Sequence, residues 1–96
     1  MVELLDAKAR TDLLNRLKRA EGQLRGVQRM IEEGETCMDV ANQVAAVRKA
    51  LDSTQVRLAV SYLEHGLQRT LERGERSPEA FGGLLEEVQG LLSKAR

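Results

Sequence analysis

Cys37 is the one cysteine of this 96-residue chain, and it stands in the run Gly34-Glu35-Thr36-Cys37-Met38-Asp39. Gly34 can end a helix in the left-handed C′ conformation, and Thr36 followed three residues later by Asp39 resembles a capping box opening the next helix. Thr36 is then an N-cap and Cys37 the first helical residue, where free backbone N–H groups and the helix dipole attract negative charge. The thiolate is the reactive form of cysteine, so a lone thiol at this place is a candidate nucleophile or sensor. A free cysteine also packs as a small apolar residue, and its position alone leaves both uses open. No acid/base pair, metal-ligand cluster or nucleophile with a positioned base stands out, which speaks against an enzyme and implies neither a metal nor a cofactor.

A second chemistry is cationic. Residues 1 to 29 carry seven basic groups (Lys8, Arg10, Arg16, Lys18, Arg19, Arg25, Arg29) against four acidic ones, and Glu32, Glu33, Glu35 and Asp39 follow directly. The whole chain has 15 basic and 15 acidic residues, a balance that argues against nonspecific binding to any polyanion. The first segment is nevertheless locally basic.

The elements that must carry these groups read as helices. Leu13, Leu14, Leu17, Ala20, Leu24, Val27 and Ile31 recur at steps of three and four. Lys18, Arg25 and Arg29 project about 140° away from that stripe, with Arg16 and Arg19 on its flank. The second helix carries Val40, Val44, Val47, Leu51, Leu58, Leu63, Leu67 and Leu71 before Gly74 stops it. Ser77-Pro78-Glu79 opens a third, Ser as N-cap and Pro at N1, with Phe81, Leu84, Leu85, Val88, Leu91 and Leu92 as its apolar stripe. No strand signal or phosphate-binding loop competes, so the expectation is an all-α chain of three helices forming a single domain over residues 1 to 96.

A second helix of roughly 35 residues would be about 50 Å long, whereas a compact 100-residue domain has a radius of gyration near 13 Å. Its own chain cannot cover such a helix. Two copies pairing their long helices into an antiparallel four-helix bundle is the expected solution, with a dimer of dimers as the next step. One cysteine cannot form an internal disulfide, and no N-terminal apolar stretch has the length of a signal or a membrane span. A cytoplasmic protein without a membrane partner is therefore expected.

The run Arg16-Leu17-Lys18-Arg19-Ala20-Glu21-Gly22-Gln23-Leu24-Arg25-Gly26, with Val27 to Glu33, Cys37-Met38-Asp39-Val40 and Gln43 to Asp52, resembles the CsoR/RcnR/FrmR family of bacterial repressors. The resemblance covers about residues 8 to 72. It implies a dimer-based tetramer that binds operator DNA and releases it when an effector modifies a site at the start of the second helix. It places the family's first-helix arginine at Arg16, with Lys18, Arg19, Arg25, Arg48 and Lys49 as supporting DNA contacts. Arginine can hold a phosphate or a guanine edge with two N–H groups. A second basic position, used by some members just after the equivalent of Asp52, is Ser53 here.

The resemblance also locates a sensing site and shows a departure there. Copper-sensing members pair the cysteine matching Cys37 with a histidine 25 residues later and a cysteine 29 residues later, a donor set suited to Cu(I). Those positions are Tyr62 and Gly66. Nickel and cobalt sensors use histidines at or near both places, and persulfide sensors need the second cysteine. His65, the single histidine, is one residue and about 100° off the Gly66 position. Formaldehyde-sensing members instead join the cysteine to an N-terminal amine through a methylene bridge, and here that amine would be Val2 after removal of Met1, or a nearby lysine. Such members usually keep a histidine where Tyr62 stands and begin with Pro at position 2, so the match is partial. The function expected on this resemblance is a DNA-binding repressor released by formaldehyde or a similar small electrophile at Cys37, with Val2 and Tyr62 as its neighbours. Two alternatives stay open: sulfane-sulfur or oxidant sensing in the same family, and a helical interaction protein that senses nothing.

Overall fold

The computed structural model describes residues 6–94, folded as α1 (Ala7–Glu32), α2 (Cys37–Glu72) and α3 (Pro78–Ser93), with no strand among them. Each helix begins on a side-chain cap. The Asp6 carboxylate accepts the Ala9 N–H at 2.7 Å, the Thr36 hydroxyl that of Asp39 at 3.2 Å, and the Ser77 hydroxyl that of Ala80 at 3.2 Å. These bonds satisfy donors that the first turn leaves unpaired. The reciprocal half of the expected capping box, a bond donated by the Thr36 N–H to the Asp39 carboxylate, does not form. Aspartate is one methylene shorter than the glutamate that makes it.

The ends of α1 and α2 share one device. Gly34 (φ +74°) and Gly74 (φ +70°) take the left-handed conformation. Beyond them Glu35 N–H donates to the Met30 carbonyl and Glu75 N–H to that of Thr70, both at 3.0 Å. This six-to-one closure is why a glycine, and not another residue, follows each helix.

The tight link at Gly34 folds α1 back along α2 as an antiparallel hairpin. Leu13, Ala20 and Val27, spaced by seven, are buried on α1, and Val47, Ala59 and Ser61 are buried on α2. α3 returns antiparallel along the second half of α2 and touches only that helix, not α1. Gln55 Nε2 donates to the Leu91 carbonyl at 3.0 Å near one end of the contact, and Leu84 and Val88 are buried within it.

At 36 residues α2 is about 54 Å long, and the molecule measures 59 × 24 × 18 Å. Such a rod cannot enclose its apolar side chains. Leu17, Leu24 and Ile31 form a second seven-residue stripe on α1, 42%, 48% and 62% exposed, beside Val44 and Leu51 of α2, 45% and 41% exposed. The protomer is left with an open apolar face along the first half of α2.

Candidate functional site

Cys37 is the first residue of α2 and is exposed. The Thr36 cap fixes how the chain enters the helix at that point. Tyr62, half-buried, stands on the same helix 25 residues later, about 37 Å away at about 1.5 Å per residue. Within one protomer the two side chains cannot meet. Val2, the expected amine, lies outside the described residues.

The far end of α2 is shaped by α3. Tyr62, Gly66, Arg69 and Thr70 line one groove with Ala80, Gly83 and Leu84 of α3. A Cβ built at Gly66 would lie 2.5 Å from Leu84 Cδ1 and 3.2 Å from its Cδ2. Leu84 is 9% exposed, so it has little room to turn away. A side chain at position 66 is missing from the sequence, and one placed there would require Leu84 to shift. His65 faces the other way and lines a polar cleft against α1 with Asp12, Arg57 and Ser61. It does not substitute for a ligand at 66.

This donor set does not fit a soft-metal centre. Position 62 offers a phenol and position 66 offers no side chain, whereas Cu(I) asks for thiolate or imidazole. Among the described residues no cluster of three or more His, Cys, Asp or Glu side chains gathers within the protomer.

The basic residues divide into two groups. Arg16 Nε bonds the Asp12 carboxylate at 3.1 Å, and Arg57 reaches across from α2 to the same oxygen at 3.5 Å. With its side chain 34% exposed, Arg16 is partly neutralised and held at the hairpin seam. It lines a groove there with Arg19, Ala50, Ser53 and Thr54, and Lys49 precedes Ser53 by one turn. Lys18, Arg19, Arg25, Arg48 and Lys49 are exposed. Arg29, outside the expected contact set, is exposed on the same side of α1 as Lys18 and Arg25. The Asp12 to Arg16 spacing of four is legible as a helical ion pair. The share taken by Arg57 arises only from the hairpin register and has no sequence signal.

The model of the metal-sensitive transcriptional repressor family matches residues 9–94, and the chain belongs to that family. Its members are repressors, not enzymes. The copper-sensing transcriptional repressor RicR of Mycobacterium tuberculosis is 45% identical over 71 residues, covering 74% of this chain and 72% of RicR. The copper-sensing repressor CsoR of Bacillus subtilis is 32% identical over 80 residues, 83% of this chain and 78% of that protein. Among solved structures, the nickel-responsive transcriptional regulator InrS superposes with a TM-score of 0.71 at 29% identity, over 100% of this chain and 99% of its own. Among the described residues no helix is long and apolar enough to cross a membrane.

Proposed function

We propose that this repressor works in the cytoplasm as an oligomer on operator DNA and is released from it by a small electrophile, formaldehyde foremost, reacting at Cys37. The observation that carries the effector is the donor set of α2: an exposed thiol at 37, a phenol at 62, and a glycine at 66 with Leu84 seated on it. A thiol can begin electrophile chemistry alone. The Cys37 thiolate adds to the carbonyl carbon, and the oxygen takes a proton to give an S-hydroxymethyl group. A neighbouring amine, that of Val2 or a lysine, then displaces water and leaves a methylene bridge between sulfur and nitrogen. Tyr62 of a second copy, running antiparallel, is the residue that would line this thiol, and the open stripe of Leu17, Leu24, Val44 and Leu51 supports such a pairing. Arg16, Lys18, Arg19, Arg25, Arg48 and Lys49 are the proposed DNA contacts, Arg16 acting from the seam and the others from the surface.

A second reading is copper sensing, favoured by the 45% identity to RicR. It would need Cys37 to find its other donors outside the family positions.

One experiment separates the two. The protein is bound to a duplex from upstream of its own operon and challenged with formaldehyde or with Cu(I), wild type beside Cys37→Ala. Release of the wild type alone by formaldehyde, with a mass gain of about one carbon, is expected; persulfidation would instead add about one sulfur. Equal release of both proteins sinks the electrophile reading. Release by Cu(I) and not by formaldehyde establishes the copper one.

A further inference from the structure

Four cations of α1, Lys18, Arg19, Arg25 and Arg29, are exposed and enter no ion pair among the described residues. At about 100° per residue, Lys18, Arg25 and Arg29 fall within roughly 40° of one another on the side of α1 opposite the buried stripe. Arg19 stands about 100° round from Lys18, toward the seam that holds Arg16 and Lys49. Between them, roughly 40° and 80° from Lys18, are Gly22 and Gly26. The middle of this cationic face is bare backbone.

Neither glycine is explained by the protomer. A Cβ at Gly22 or Gly26 would meet nothing within 4 Å, and only Gly34 and Gly74 have positive φ. Both lie well inside a 26-residue helix, where glycine is the worst residue for helix stability after proline. Glycine inside an element is warranted where another backbone must come close. Here the surrounding charge says which kind. Four unpaired cations around the bare strip suit a polyanion, and an extended strand of phosphates is the one that the ring can follow along the helix.

We propose that this face of α1 lies directly against a phosphodiester strand of duplex DNA, Gly22 and Gly26 letting the strand approach the helix closer than a Cβ would permit. Lys18, Arg19, Arg25 and Arg29 then hold it from both sides. The inference rests on the DNA-binding reading above and adds to it two residues that carry no charge.

The test measures fluorescence anisotropy of a labelled duplex from upstream of the operon, and of a scrambled duplex of equal length, across a salt series. Wild type is compared with Gly22→Ala, Gly26→Ala, the double variant and Arg25→Ala. Alanine is expected to raise Tm by roughly 4 °C or more per site, because the helix gains propensity. The same variants are expected to bind both duplexes at least about fivefold more weakly, with an unchanged slope of log K against log salt. Arg25→Ala should lower the magnitude of that slope by about 0.9. Glycine variants that gain stability and bind as tightly as wild type overturn the close approach and leave the DNA reading standing. Wild type that binds neither duplex overturns both.

Discussion

The two halves of α2 are built of similar residues and meet different fates. From Gln55 onward the helix has α1 on one side and α3 on another, with Ala59 and Ser61 at 1% and 7% exposure. Before Thr54 it has α1 alone, and Val44, Leu51 and Met38 stand 45%, 41% and 70% exposed. The difference lies in the length of the neighbours. α3 has 16 residues against the 36 of α2 and is spent by the time it reaches Gln55. The end that carries Tyr62 and Gly66 thus has a second neighbour that the end carrying Cys37 lacks, although Val56, Val60 and Leu71 stay 46%, 37% and 50% exposed on its uncovered side.

Leu51→Glu strikes the half that α3 does not reach and should have the largest effect. If two copies bury this stripe, a carboxylate brought there is desolvated without a partner, and self-association measured by sedimentation velocity should weaken by roughly two orders of magnitude or more. DNA affinity should fall with it. A variant that sediments as wild type would mean that this half is finished by something other than a second copy. Leu84→Ala strikes the covered half. It removes a buried side chain from the contact between α2 and α3 and should cost about 2–4 kcal/mol in denaturant unfolding. A loss well below that range would make α3 a loosely held appendage and erase the contrast between the halves.

Much of this was legible in the chain. The boundaries Thr36, Gly34, Gly74 and Ser77 announce themselves because caps and left-handed closures demand particular residue types at fixed offsets. The excess length of α2 follows from its uninterrupted periodicity, and with it the need for a partner. The seating of Leu84 on Gly66 was not legible. Both residues fit their helices, and nothing local says which turn of α3 will meet which turn of α2. The reach of Arg57 to Asp12 was hidden for the same reason, since a helical wheel fixes the face of each residue but not the register between helices. The absence of a ligand side chain at 66 could be read from sequence, whereas the presence of an obstacle to one could not.

That obstacle gives the finest test of the comparison, in a double-mutant cycle. Gly66→Ala alone sets two effects against each other. Alanine gains about 1 kcal/mol over glycine inside a helix, while its Cβ, 2.5 Å from Leu84 Cδ1, forces a buried side chain to move at a cost of about 1–3 kcal/mol. In the wild-type background the sum should be neutral or destabilising by up to about 2 kcal/mol. In the Leu84→Ala background the obstacle is gone, and the same substitution should stabilise by about 1 kcal/mol. A coupling of roughly 1–3 kcal/mol between the two sites is the signature, read from paired urea titrations. Equal stabilisation in both backgrounds would show that Leu84 yields without cost. Position 66 would then be open to a cysteine after all, and the residues at 62 and 66 themselves, not the packing of α3, would stand between this repressor and the ligand pattern that its resemblance to copper sensors implies.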